Sequence, residues 1–156
     1  HQRGAKVCLD LASWNIVESE HAFFERLLPN IDIVFANEDE ARAMTGKIGK
    51  EAAHILAGPC HTAVVKCGPR GAFAVQGDHC VCEPATEVAH VIDTTGAGDF
   101  FAGGFLHRHA LGGSLAQCLI EGSACAGEVI QVIGTQLPET TWQRLRSQSA
   151  LRHDKN

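Results

Sequence analysis

Segments typical of buried strands alternate along the chain with segments of helical periodicity. The predicted strands span residues 7–11, 31–36, 62–68 and 89–93, and the predicted helices span residues 18–28, 38–44, 50–56, 98–110, 114–134 and 138–151. Ser114 is the predicted N-cap of the helix over residues 114–134. Strands separated by helices are typical of a layered, largely parallel sheet. Residues 71–83 differ, because two short strand patterns flank Gly77-Asp78 and predict a hairpin. The sequence therefore predicts an α/β fold with a hairpin on one side of the sheet.

The composition is that of an ordinary globular protein with a mild excess of acidic residues. Of the 156 residues, 45% are hydrophobic and 20% are charged, and the formal net charge is −5. This charge argues against nucleic acid or an anionic membrane as the main partner. No apolar run approaches the roughly 18 residues of a membrane span, and no signal peptide is visible. We therefore expect neither nucleic-acid binding nor membrane insertion.

The seven cysteines have the surroundings of small core residues. Most lie among Val, Leu and Ala, and none forms a C-x-x-C pair. The alternative is a metal site at His79, Cys80 and Cys82 with His90, but the spacing of a four-ligand zinc site is missing. Reduced core cysteines are favoured, and a protein without disulfides is typical of the cytoplasm.

The stretch DTTGAGDFF, residues 93–101, stands where a predicted strand passes into a predicted helix. Ligands of α/β sheets gather at the carboxyl ends of strands. Gly96 and Gly98 allow a tight turn with exposed N–H groups, and the helix N-terminus adds positive potential, so the stretch predicts an anion pocket. Asp99 would repel a phosphate, but it suits a base that takes a proton from an attacking hydroxyl. The alternative is an ordinary helix cap.

Two other phosphate-binding patterns do not fit this stretch. The P-loop pattern G-x-x-x-x-G-K-[ST] is absent. The dinucleotide pattern G-x-G-x-x-G is broken, because Phe101 occupies the third glycine position. An acidic residue that closes a following strand about 20 positions on is missing too, since Glu121 lies within a helical pattern.

Four segments, in order along the chain, resemble the PfkB carbohydrate kinases, a ribokinase-like family. DTTGAGDFFAGGFL, residues 93–106, resembles the second signature of the family, and FANEDEA, residues 35–41, resembles its N-x-x-E motif. VVKCGPRGA, residues 64–72, resembles the strand and glycine turn that line the nucleotide. CLIEGSACAGEVIQVIGTQLPE, residues 118–139, resembles the late helix and loop of the adenosine-kinase-like branch.

The resemblance implies a ribokinase-like three-layer α/β/α sandwich with a mostly parallel central sheet. It identifies residues 1–156 as a single α/β domain, the C-terminal ATP-binding and catalytic half of such a kinase. In proteins of this family the first signature, the substrate-binding aspartate and the lid strands lie in the N-terminal half, and they are not found here. We therefore expect the chain by itself to be inactive toward an acceptor.

The same resemblance assigns roles to individual residues. It implies Asp99 as the catalytic base, and backbone N–H groups of Gly96, Ala97 and Gly98 as the anion hole. Glu40 with Asn37 would organise Mg²⁺ through water. Lys66 and Gly68 would contact the ATP phosphates and ribose. The adenine would lie against Gly122, Ser123 and Ala126. A monovalent cation such as K⁺ would be bound by Asp93 and Thr95, with carbonyls near Val129, Val132 and Gly134.

Two of these assignments have simple alternatives in the sequence. Glu40 is also compatible with a solvated helix residue, although Asn37 beside it and its place after a strand favour Mg²⁺. Lys66 is also compatible with a side chain that extends from a strand end toward water.

The function implied by the resemblance is transfer of a phosphoryl group from ATP to a hydroxyl of a sugar or nucleoside, with Mg²⁺ as cofactor. The partner is then a small molecule, and a homodimer of the complete protein is compatible with the family. The alternative is a non-catalytic nucleotide-binding fragment or a pseudoenzyme.

Overall fold

The computed structural model describes residues 4–153, and side chains through residue 150. The chain groups into two compact units, His1–Cys82 and Glu83–Asn156, and each is described by itself. The single-domain organisation expected from the sequence stays a prediction.

The first unit is built on a mixed sheet with the strands in chain order. The strands are β1 (Cys8–Asp10), β2 (Ile33–Asn37), β3 (Thr62–Lys66), β4 (Ala72–Gln76) and β5 (His79–Glu83). Strands β1 and β2 pair in parallel, as do β2 and β3, whereas β3 and β4 are antiparallel. Strand β5 lies beside β4 after the turn at Gly77-Asp78, so the predicted α/β fold and its hairpin are confirmed.

Four helices connect the parallel strands. The single helix predicted over residues 18–28 is wrong, because two helices separated at Glu20 occupy this region. Glu20 leaves the helical conformation, with φ −112° and ψ 26°, and the break turns Phe24 into the core while Phe23 faces solvent. The helices are α1 (Trp14–Ser19), α2 (His21–Leu27), α3 (Glu38–Thr45) and α4 (Gly49–Ala57).

The core of this unit is centred on β2 and β3. Residues 33–36 and 63–65 are almost completely buried, as is usual for parallel strands that are covered on both faces. Small residues let the helices pack closely, since Ala41 of α3 and Ala52 and Ala53 of α4 are fully buried. The apolar runs of the sequence therefore become central strands, and their polar residues are left at the strand ends.

Three helices make up most of the second unit. They are α5 (Ala97–Ala110), α6 (Leu115–Val129) and α7 (Glu139–His153). Ser114 caps α6 with the predicted side-chain bond, accepting from the N–H of Gln117. Helix α6 ends at Val129 and not at Gly134 as the periodicity suggested.

The strand predicted over residues 89–93 is wrong, because this segment is an irregular loop. Val91 and Ile92 are exposed, and the N–H of Ile92 donates to the carbonyl of Ile130 just beyond α6. The alternation of apolar residues resembles a strand, but its backbone bonds to a helix end. The glycine stretch therefore follows a loop.

All seven cysteines are free. Burial raises the pKa of Cys60, Cys67 and Cys118 to about 11, so these thiols stay protonated near neutral pH. The core role expected for most of the cysteines holds for these three residues only, because Cys80 and Cys125 are partly buried and Cys8 and Cys82 are exposed.

Helices α5 and α6 cross at two glycines. A Cβ atom on Gly104 would lie 2.7 Å from the carbonyl oxygen of Glu121 and 3.0 Å from the Cα of Gly122. A Cβ atom on Gly122 would lie 2.8 Å from the carbonyl oxygen of Phe101. The two backbones therefore approach so closely that neither position has room for a side chain.

This crossing predicts opposite effects for two neighbouring glycines. We expect Gly104→Ala to lower the free energy of unfolding by about 1–3 kcal/mol, because the new methyl group displaces the α6 backbone. Gly103→Ala is the matched control: no atom lies within 4 Å of its Cβ position, so it should gain up to about 1 kcal/mol of helix propensity. Urea unfolding of both variants measures the difference. Equal stabilities would contradict the close crossing.

Candidate active site

The N-terminus of α5 begins with a left-handed glycine turn. Gly96 precedes the helix with φ 77°, and a Cβ atom there would lie 2.7 Å from Cγ2 of Thr135. The N–H of Ala97 donates to the carbonyl of Thr94 at 3.2 Å. Gly98 lies inside the helix, so the turn requires its glycine at position 96. The N–H groups of the first turn of a helix have no acceptor within the helix and can bind an anion.

Asp99 stands in the first turn of α5 with its side chain exposed. It lies on the wall of a cavity of about 500 Å³ between the three helices of this unit. Phe100 and Trp142, whose rings stack at 5.7 Å, form part of the mostly apolar lining. Asp99 thus combines solvent access with a place beside the glycine turn, as a base for a bound hydroxyl requires.

A buried carboxylate joins the three helices at the polar end of the same cavity. Glu121 of α6 is 5% exposed. Its Oε1 lies 2.6 Å from Nδ1 of His107 on α5 and accepts from the hydroxyl of Ser149 on α7 at 2.8 Å. Sequence reasoning did not find this network. The signal in the sequence was an acidic residue within the apolar stripe of a predicted helix, and Glu121 was weighed there only as the acid of the dinucleotide pattern.

Asp93 ties the loop before α5 to the loop after α6. Its Oδ1 accepts from the N–H of Thr95 at 2.9 Å and from the Thr95 hydroxyl at 2.7 Å, and its Oδ2 accepts from the N–H of Gly134 at 2.9 Å. The hydrogen bond from the Thr95 hydroxyl is the largest cause that lowers the pKa of Asp93. The two residues predicted near a monovalent cation therefore lie together with Gly134, and the Asp93 side chain joins the two loops.

The residues predicted near the adenine lie along α6 with different contacts. Gly122 is buried at the helix crossing against Phe101. The hydroxyl of Ser123 accepts from the N–H of Thr86 at 2.7 Å, which places residue 86 beside the helix. Ala126 is partly exposed. Of these three residues, Ala126 has the smallest evident structural role.

In the first unit, Asn37 and Glu40 form a reciprocal capping box at the start of α3. Oδ1 of Asn37 accepts from the N–H of Glu40 at 2.9 Å. The Glu40 carboxylate accepts from the N–H of Asn37 at 2.8 Å and from its side-chain amide at 2.7 Å. Glu40 is only 3% exposed, so it is not a solvated helix residue, and burial is the main cause that raises its pKa.

Lys66 does not extend into water from the end of β3. Its Nζ donates to Oδ2 of Asp10 at 2.7 Å, and its side chain is 14% exposed. Asp10 ends β1, Asn37 ends β2, and Lys66 is the sheet partner of Asn37. Sequence reasoning missed Asp10, although an acid near the carboxyl end of a predicted strand was a usable signal.

The turn after Lys66 contains the glycine that the sequence places there. Gly68 has φ 56° and begins a short 3-10 turn, Gly68–Arg70. Arg70 in this turn forms an ion pair with Glu38 at the start of α3. The exposed backbone of Gly68 is therefore held next to the first turn of a helix.

A metal ion at these residues would need further ligands from a substrate or from water. Within residues 4–153, no three His, Cys, Asp or Glu side chains cluster in a way that could hold a metal ion. The carboxylate oxygens of Glu40 each accept one bond from Asn37 and keep further lone pairs for metal-bound water. Indirect Mg²⁺ binding therefore fits Glu40. Over the same described residues, no helix has the length and apolar character to cross a bilayer.

Comparison with known proteins gives a consistent result. Residues 5–142 match the pfkB family carbohydrate kinase. The 2-dehydro-3-deoxygluconokinase of Haemophilus influenzae is 31% identical over 86% of this chain and 44% of its own length. The fructoselysine 6-kinase of Shigella flexneri is 37% identical over 71% of this chain and 41% of its own length. The chain thus spans less than half the length of these curated relatives.

Solved structures agree with this assignment. A probable sugar kinase from Rhizobium etli is 35% identical with a TM-score of 0.88, covering 97% of this chain and 46% of that one. The adenosine kinase from Sinorhizobium meliloti is 33% identical with a TM-score of 0.88, covering 95% and 46%. A ribokinase from Arabidopsis thaliana, solved with ribose and ATP, is 27% identical with a TM-score of 0.76, covering 92% and 48%. The chain has the ribokinase-like α/β fold and belongs to the pfkB family of carbohydrate kinases.

Proposed function

We propose that this chain is the ATP-binding and catalytic part of a kinase that phosphorylates a hydroxyl of a sugar or nucleoside. The observation that carries the proposal is an exposed carboxylate, Asp99, in the first turn of α5 directly after the left-handed turn at Gly96. A helix N-terminus attracts phosphate, whereas a carboxylate there does not. The pair makes chemical sense when the carboxylate removes a proton and the helix end neutralises the phosphoryl group.

The reaction needs few groups from the protein. Asp99 takes the proton of the acceptor hydroxyl as that oxygen bonds to the γ-phosphorus, and the bond from the γ-phosphorus to the bridging oxygen breaks to release ADP. The N–H of Gly98 would stabilise the charge on the transferred group. The N–H of Ala97 would join it only on leaving the carbonyl of Thr94. Glu40 with Asn37 would hold Mg²⁺ through water, and this ion neutralises phosphate charge when it is bound. Lys66 and Gly68 would contact the phosphates.

The relatives support the substrate class more strongly than any single substrate. Their names cover a sugar acid, fructoselysine, ribose, cytidine and adenosine. The ATP bound in the Arabidopsis ribokinase structure supports ATP as phosphoryl donor. We extend the proposal to a monovalent cation near Asp93 and Thr95, to an adenine contact at Ser123 and Ala126, and to a cytoplasmic location.

A non-catalytic nucleotide-binding module is the less favoured alternative. A pseudoenzyme would not need the exposed Asp99 beside its glycine turn. The chain spans less than half the length of its relatives. We therefore expect the 156-residue chain to bind ATP by itself but to need residues outside it to hold the acceptor. A panel of adenosine, ribose, fructose and related acceptors, assayed with this chain and with the complete gene product, tests the proposal. ADP release that no acceptor stimulates in the complete protein would overturn it.

The first functional prediction concerns the base. In the complete kinase, Asp99→Asn should lower kcat by a factor of about 100 or more, because general-base catalysis contributes that much, while the KM for ATP stays near the unmodified value. Glu139→Gln is the matched control, since Glu139 is an exposed acid in the first turn of α7. Steady-state kinetics measure both variants. An Asp99→Asn enzyme with more than about a tenth of the original kcat would remove Asp99 from the mechanism.

The second functional prediction concerns the role of Glu40 in Mg²⁺ binding. Glu40→Gln should raise the Mg²⁺ concentration needed for half-maximal activity by about tenfold or more, because loss of a group that holds a metal through its ligands typically costs this much. Glutamine can keep the capping box, so the fold should persist. Asp39→Asn, an exposed neighbour in the same helix, is the control. The measurement is a Mg²⁺ titration at saturating ATP. Superimposable curves for Glu40→Gln and the unmodified enzyme would show that Glu40 only caps α3 and does not hold Mg²⁺.

A further inference from the structure

The ion pair between Asp10 and Lys66 spans the carboxyl edge of the parallel sheet. Asp10 ends β1, Lys66 ends β3, and β2 lies between them. The Lys66 side chain therefore passes the end of β2 to reach Oδ2 of Asp10 at 2.7 Å. The two side chains are only 14% and 30% exposed, so the pair is sheltered from solvent more than an ordinary surface ion pair.

Asp10 is itself fixed by the turn that follows β1. Its Oδ1 accepts from the N–H of Ala12 at 3.0 Å. Ala12 has φ 63°, and within residues 4–153 it is the only residue other than glycine with a positive φ. Alanine is unfavourable in this conformation, and such strain is often found at functional sites. With one oxygen on the turn and the other on Lys66, the carboxylate is a rigid anchor for the ammonium group.

The charge at this edge explains why an anchored lysine matters. The pKa of Glu40 is raised mainly by burial, and in smaller measure it is raised by Asp10 and lowered by Lys66, so the Glu40 carboxylate lies close enough to sense the ion pair. Two carboxylates at a sheet edge would repel phosphate if Lys66 pointed elsewhere. The ammonium group has three N–H donors, and its bond to Asp10 leaves donors for a ligand.

We propose that Asp10 is a positioning residue that holds the Lys66 ammonium group at the sheet edge for the phosphate chain of the nucleotide. The inference rests on the proposed function, which assigns Lys66 to the phosphates. Asp10 acts through Lys66 and does not touch the reacting atoms. Its effect should therefore depend on the number of phosphates in the ligand and should vanish when Lys66 is absent. A purely structural ion pair would show neither property.

The test is a set of calorimetric titrations of the 156-residue chain with ATP, ADP and adenosine in the presence of Mg²⁺. We expect Asp10→Asn to weaken ATP and ADP binding by about tenfold, the size expected for one charge-assisted hydrogen bond, and to leave adenosine binding unchanged. Lys66→Met should have a similar effect. The double variant should bind ATP no more weakly than Lys66→Met alone.

Asp32→Asn is the matched control. Asp32 precedes β2 at the opposite end of the strands, accepts from Lys6 at 3.2 Å and from the N–H of Val7 at 2.7 Å, and so repeats the Asp10 arrangement away from the edge. It should leave ATP binding unchanged. If Asp10→Asn disturbs the turn, the same comparison is made in an Ala12→Gly background, because glycine adopts positive φ without the aspartate bond.

The outcomes separate this inference from the proposed function. If the unmodified chain binds neither ATP nor ADP, the proposed nucleotide site fails and the inference fails with it. If the unmodified chain binds ATP but Asp10→Asn binds it equally well, or loses ATP and adenosine to the same extent, the positioning role is overturned and the nucleotide site stands. Additive losses in the double variant also overturn it.

Discussion

Parallel pairing of β1, β2 and β3 is the constraint on which the chemistry of the first unit depends. Parallel strands that are buried on both faces leave polar side chains only at their ends. Here Asp10, Asn37 and Lys66 occupy three neighbouring carboxyl ends, and Glu40 follows within the first turn of α3. One carboxylate is bound in a capping box and another to lysine. The side chains at this edge therefore hold one another in place.

The second unit reaches a similar degree of order through backbone contacts. Gly104 and Gly122 allow α5 and α6 to cross without intervening side chains, and Asp93 joins the loops at their ends. Glu121 adds α7 through Ser149. The first turn of α5, which carries Asp99, is thus attached to a helix assembly with little freedom to move. In the proposed reaction Asp99 would gain from such support, because small displacements reduce proton-transfer and phosphoryl-transfer rates strongly.

Much of the fold was predictable from local patterns. The strand-helix alternation, the hairpin at Gly77-Asp78 and the cap at Ser114 follow from periodicity and turn residues, and all are confirmed. Two expectations were wrong for a shared reason. The helix break at Glu20 and the loop at residues 89–93 depend on where neighbouring elements offer contacts, and periodicity in one segment does not report this. Likewise, Gly96 adopts the positive φ and Gly98 does not, because α5 begins at Ala97 and Gly98 is already part of the helix.

The sequence by itself determined the α/β class, the family and the candidates Asp99, Glu40, Asn37 and Lys66, because each lies in a short motif whose residues are neighbours along the chain. Only the tertiary structure decided that Asp10 meets Lys66, that Glu121 joins His107 and Ser149, and that Asp93 bonds to Gly134. These partners are 14 to 56 residues apart. Hydrogen bonds and ion pairs act only over a few ångströms, so such pairs form through strand order and helix crossing, which local sequence patterns do not encode.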